Sequence, residues 1–229
     1  MVCNDDRASR SAGSTTGDER KIQDLRERIA ACRVCVEHPI RQPLPHEPRP
    51  VVVLSSTARI AICGQAPGTR VHASGIPFTD PSGDRLRAWM GVDSETFYDR
   101  DKLAIIPMGF CFPGLDSKGG DKPPRPECKK TWHQEVFSNM PQLETLLAIG
   151  GYAQAYHMPD FTKKRLWETI EDFQKIWEVT SQRHADGLGP RVLPLPHPSW
   201  RNNHHIKKHP WFESELLPLL KEEVRRLMG

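Results

Sequence analysis

Apolar positions in this chain come in short clusters separated by polar loops, and their spacing changes along its length. Over residues 21–32 (KIQDLRERIAAC), Ile22, Leu25 and Ile29 fall three and four positions apart, which predicts an amphipathic helix delivering Cys32 near its end. Residues 1–20 mix Ser, Gly, Asp and Arg with no apolar anchor, so a mobile tail is expected there. Residues 39–50 (PIRQPLPHEPRP) are too proline-rich for regular helix. Four brief apolar runs follow, at 59–63, 103–106, 143–149 and 191–195, each leading into a Gly- or Pro-containing loop. They read as buried strands. Helical patterns at 84–90, 129–140, 152–157 and 166–180 lie between and around them, and an amphipathic helix over 212–227 closes the chain.

Short strands alternating with helices predict an α/β fold: a central, mostly parallel four-stranded sheet with helices on both faces, a three-layer α/β/α sandwich. Residues 21–229 are expected to form it as one domain. Ligands of such sheets sit outside the carboxyl ends of the strands. The loops GQAPG (64–68), MGFCFPG (108–114) and PHPSWRNN (196–203) are therefore expected to face one another.

Composition narrows the class. With 229 residues, 27% charged and 37% apolar, the chain has a soluble globular composition. No run approaches the ~18 apolar residues of a membrane span, and the first twenty residues lack the apolar core of a secretory signal. A cytoplasmic protein is the expectation. Its six cysteines are then expected to be thiols or metal ligands rather than disulfides. The net charge of +3 permits nucleic-acid binding without arguing for it. The informative part is the local His/Lys/Arg cluster between Trp200 and His209.

Candidate chemistry lies in the loops. Cys32 and Cys35 bracket one turn, and Cys111 and Cys128, with sixteen residues between them, supply a second pair. Together they can complete a four-thiolate site, and the spacing alone accepts structural zinc; four unrelated thiols is the plain alternative. Cys63 reads as a core residue, and Cys3 in the tail has no evident partner. The turn Gly64-Gln65-Ala66-Pro67-Gly68 is explained equally well by backbone needs alone. Phe78, in the Gly/Pro loop GIPFTDPSGDRL (75–86), needs something flat to pack on, either a ligand or the core. His197-Pro198-Ser199 runs on into Trp200-Arg201-Asn202-Asn203, an aromatic wedge, a cation and two amides that suit minor-groove or single-strand DNA contact.

GQAPG after a strand, then GIPFTDPSGDRL, then HPS after the last strand resemble the uracil-DNA glycosylase superfamily, most closely its iron–sulfur branch, often called family four. The resemblance runs from Cys32 to the final helix. It implies a monofunctional DNA N-glycosylase of base-excision repair that flips uracil or a related deaminated base and hydrolyses its N-glycosidic bond. DNA, single- or double-stranded, would be the partner, with no membrane involved and a monomer expected. Phe78 would stack on the base, and His197 would donate to the base oxygen where negative charge develops. Gln65, with the backbone of Gly64 and Ala66, would hold base and water. Ser199 would grip phosphate, Trp200 and Arg201 occupy the place of an intercalating loop, and Arg201, Lys207 and Lys208 would add phosphate contacts. The resemblance also implies a structural 4Fe-4S cluster on Cys32, Cys35, Cys111 and Cys128, with zinc as the alternative.

Three positions depart from the family pattern. Ala66 stands where the most efficient branch has Asp, and Gln65 where the iron–sulfur branch usually has Glu, so neither offers a carboxylate base. Pro107 replaces the Asn that reads the uracil edge, which predicts weaker or broader base selection. Asp80 and Asp84 are the nearest carboxylates to help water, and capping a helix is the plainer role for one of them. A dissociative route would need little base assistance. The departures also keep two other readings open: a DNA-damage-binding protein without catalysis, and a zinc-stabilised nucleotide-binding module.

Overall fold

A computed structural model describes the chain from Asp6 to Gly229, with side chains from Gly17 onward. Cys3 and the first five residues of the expected tail lie outside the described residues, as do the side chains of residues 6–16. Four strands, β1 (Ile60–Cys63), β2 (Leu103–Ile105), β3 (Thr145–Ile149) and β4 (Arg191–Leu195), form one sheet in the order β2-β1-β3-β4. Every pairing is parallel; Ile60 pairs with Leu103 and Thr145, and Thr145 with Arg191.

Parallel strands are buried on both faces, which is why their sequences are continuous apolar runs. Side chains still alternate between two cores. Ala61, Cys63, Ala104, Leu146, Ala148 and Val192 face one, covered by Ile22, Leu25 and Ile29 of the helix Asp6–Ala30 and by Trp132 and Val136. Ile60, Ile62, Leu103, Ile105, Leu147, Ile149, Leu193 and Leu195 face the other, beneath Leu86, Trp89 and Met90 and the C-terminal Leu216, Leu220 and Val224. The small residues on the first face let its helices approach closely. This is the three-layer architecture that the strand pattern predicts.

Local differences have physical causes. The helix expected from residue 84 begins at Pro81, because Asp80 is its N-cap: the carboxylate accepts from the Gly83 amide at 3.3 Å and proline is preorganised for the first turn. Asp84 lies in that first turn and pairs with Arg87 at 2.6 Å. The helix expected over 166–180 divides into Leu166–Glu171 and Phe173–Ala185, so that Phe173 reaches one core and Ile176 the other. The pattern at 129–140 starts at Pro126–Cys128 and passes through a π turn, Lys129–His133, before Gln134–Ser138.

The amino end of the sheet is closed by ions. Glu144, just before β3, accepts from Arg59 at 2.5 Å and from Arg191 and Arg226 at 2.9 Å each. The buried Glu223 accepts from Thr145 at 2.5 Å and Arg226 at 2.8 Å, with Arg191 at 3.4 Å.

Candidate functional site

The carboxyl end of the sheet is open instead. A cavity of about 390 Å³ sits there, at the point where β1 has β2 on one side and β3 on the other. Gly64, Gln65, Ala66, Phe78, Pro107 and His197 all line it. The ladder between β1 and β2 continues past the strands, with Met108 N–H donating to Gly64 at 2.8 Å and Gly109 N–H to Gln65 at 3.0 Å. Proline has no amide hydrogen to add to that ladder, and Pro107 is buried against the cavity. The Gln65 amide nitrogen donates to the Lys122 carbonyl at 3.2 Å, which turns its oxygen to the other side.

Phe78 is held in strain. Its φ of 56° lies in the left-handed region, costly for a bulky residue. The Tyr98 hydroxyl donates to the Phe78 carbonyl at 3.1 Å, and Phe97 meets the ring edge-on at 5.8 Å. A Cβ on Gly83 would stand 1.8 Å from the Phe78 carbonyl oxygen, so only glycine permits this loop. Phe78 is half-buried, anchored on the core while lining the cavity. Of the two roles open to it from the sequence, packing on the core is the one seen, and the ring also lines the cavity.

His197 follows β4, and its loop is fixed from two directions. Asn202 donates to the His197 carbonyl at 2.7 Å, while Arg85 donates to the Ser199 carbonyl at 3.1 Å and to Asn203 at 2.6 Å. The residue is exposed to solvent at the cavity, and the protein around its ring removes part of its hydration. Desolvation pulls its pKa down, the negative charges of Asp80 and Asp121 oppose that, and Arg201 adds to it; the net direction is downward. That direction favours the neutral imidazole, which has one ring N–H to donate. Arg201 also lines the cavity. Trp200 is 73% exposed and does not itself line the cavity; the Arg201 guanidinium lies 5.8 Å from its ring centroid. Lys207 and Lys208 are exposed at the end of the helix Asn203–Lys208 and do not line the cavity.

One expectation about the loops needs correcting. Most of MGFCFPG turns away from the cavity: Met108, Phe110, Cys111 and Phe112 are buried, and three of these four join the first core. The cavity is faced instead by the loop beyond it. Asp116 accepts from the amides of Lys118 at 2.8 Å and Gly120 at 2.9 Å, folding the chain back so that Leu115 bridges Asp121. This brings in Asp121, which reading the sequence missed. Its carboxylate lies 3.4 Å from where a Cβ on Gly68 would stand. Desolvation raises its pKa, only partly offset by His197 and Arg201. The available signal was the D-x-x-G-G-D pattern over 116–121, an Asp-initiated turn followed by a second Asp.

Residues 51–221 match the family described as the uracil DNA glycosylase superfamily, which is more than half of the chain. The chain belongs to the uracil DNA glycosylase superfamily. Its members are DNA-acting glycosylases, and the cavity residues all fall within the matched span. Among the described residues no helix is long and apolar enough to cross a membrane.

Cys32 and Cys35 precede the residues matched to the superfamily, yet they meet Cys111 and Cys128 around one small apolar cavity completed by Pro48, Pro50, Phe110 and Trp132. Trp132, on the π turn, donates its indole N–H to the Cys32 sulfur at 3.3 Å, and the Phe110 amide donates to Cys128 at 3.4 Å. A hydrogen bond between Cys35 and Cys128 lowers the pKa of the first and raises that of the second. Among the described residues, no three His, Cys, Asp or Glu side chains are gathered tightly enough to hold a single metal ion. Cys63 is fully buried in the first core.

Proposed function

We propose that this chain is a monofunctional DNA N-glycosylase that takes a uracil or related deaminated base out of the stack and hydrolyses its glycosidic bond. The observation that carries the proposal is the single cavity in which an aromatic face, a neutral imidazole N–H and a primary amide converge: Phe78, His197 and Gln65. As the bond to the sugar breaks, negative charge builds on the base oxygen. A neutral donor already in place stabilises it by about 2.7–4 kcal/mol. Phe78, fixed by Tyr98 and Phe97, stacks on the base without paying to become ordered. Ser199, Trp200 and Arg201 face the strand from the mouth, Lys207 and Lys208 add phosphate contacts at its edge, and the protein acts as a monomer in the cytoplasm.

Because Pro107 presents no side-chain amide to the base edge, selection is expected to extend beyond uracil. Release of free base from oligonucleotides carrying one uracil, hypoxanthine or xanthine tests both points. Release abolished by His197→Ala while binding persists supports the enzyme; uracil removed alone, with the others refused, sinks the broad selection. Ala66 and Gln65 favour a competing reading, damage binding without chemistry, and binding without base release in the same assay would establish it.

For the four cysteines we propose a structural 4Fe-4S cluster. Four sulfur donors, two N–H groups directed at sulfur and an apolar wall suit a cluster, whose separate iron corners spread their thiolates wider than one tetrahedral zinc ion does. The cluster would tie the N-terminal segment to the loops after β2. Iron and labile sulfide in protein purified without oxygen test this, and stoichiometric zinc without iron would replace the cluster by the alternative.

A further inference from the structure

The cavity is lined by a carboxylate close to the turn in which the family pattern has lost one. Of the nearby acids, Asp80 caps the helix Pro81–Met90, Asp84 pairs with Arg87 and does not line the cavity, and Asp116 is engaged with its own turn amides. Asp121 lines the cavity, and among the described residues nothing donates a hydrogen bond to its carboxylate or pairs with it. It approaches the GQAPG turn closely, its oxygen 3.4 Å from the place a Cβ on Gly68 would take. The neighbouring Lys122 carbonyl accepts from Gln65, which joins this loop to the turn.

We infer that Asp121 is the residue that activates water, standing in for the carboxylate that Ala66 and Gln65 do not supply. The inference rests on the glycosylase reading. Water is held by the Asp121 carboxylate in the cavity that Gln65 also lines. Its oxygen bonds to C1′ of the sugar while the bond from C1′ to the base nitrogen breaks, and that electron pair leaves with the base. One proton of the water passes to Asp121, the base oxygen accepts from His197, and the released base regains a proton from solvent. The titratable and charged groups facing Asp121 are His197 and Arg201 from the loop after β4 and Asp116 from its own loop, and Asp80 faces His197. Burial raises the carboxyl, so it ionises above its ordinary 3.8. The rate is then lost as pH falls through that raised value.

Single-turnover base release from a labelled single strand carrying uracil, hypoxanthine or xanthine tests this with the full chain. Asp121→Asn and Asp121→Ala are expected to lose about 10²-fold or more, with oligonucleotide binding by anisotropy retained. Formate is expected to restore at least part of the rate to Asp121→Ala, and the acid limb of the wild-type profile to vanish in Asp121→Asn. If Asp121→Asn stays within a few-fold of wild type, the inference is overturned and the glycosylase reading stands. A loss that formate does not restore, with the acid limb unchanged, makes Asp121 structural and also overturns it. A wild-type chain that releases none of the three bases removes both.

Discussion

The two ends of the sheet treat their charges in opposite ways. At the amino end, burial works against the ionisation of Glu144 and Glu223, but hydrogen bonds and charge from Arg226, Arg59 and Arg191, with Thr145, more than offset it, and both carboxyls sit below their ordinary value. At the carboxyl end, partial desolvation of two exposed groups wins. Asp121 is raised and His197 lowered, and their rings and oxygens face a cavity instead of partners. One end settles its ions into the fold, whereas the other keeps an acid and a base out of their comfortable states. Groups held that way, beside a residue at φ 56°, mark where stability is given up for chemistry.

The largest effect should come from the closed end. Glu223→Ala removes the buried acceptor that Thr145, Arg191 and Arg226 share, and although both arginines keep Glu144, breaking a buried pair from one side costs up to about 3–5 kcal/mol. Thermal denaturation should show a Tm lower by about 6–20 °C, with base release below that transition unchanged. His197→Ala should do the reverse, losing about 10²–10³-fold in rate with Tm unmoved. If the two variants moved the same observable, the division between the ends would fail. Gly83→Ala should fall between them. Its Cβ would meet a backbone oxygen at 1.8 Å, so the loop must shift and displace Phe78, costing activity first and stability second.

Much of the frame was legible because the physics is local. Parallel strands need apolar residues on both faces, so all four runs were visible, and 191–195 coincides with β4. The turn glycines and the HPS segment then fixed where the sheet opens. The MGFCFPG loop misled because Phe110 and Cys111 are apolar, and burial took them to the core instead of the cavity. Asp121 was illegible for another reason. Its place depends on Asp116 folding a loop back over distances that no periodicity records. The four cysteines could be grouped by spacing, but their meeting requires the proline segment to close over them, as Ile40 N–H does on Glu127 at 2.8 Å and Leu44 N–H on Cys35 at 3.1 Å.

The smallest effect separates the two ends most sharply. For Glu144 and Glu223 the folded pKa is lowered, so the stability they contribute is present above the ordinary 4.5 and is lost as pH falls through the lower folded value. For Asp121 the folded pKa is raised, so its ionised form works against folding at neutral pH, and that penalty fades as pH falls toward the ordinary 3.8. Asp121→Asn should therefore leave Tm at pH 7 equal to wild type or slightly higher, the shift shrinking on acidification, while Glu223→Gln lowers Tm at pH 7 and converges with wild type only in acid. Paired melting curves between pH 3 and 7 measure both. An Asp121→Asn protein that melts clearly below wild type at pH 7 would mean that this carboxylate serves the fold, and the contrast between the two ends would lose its open side.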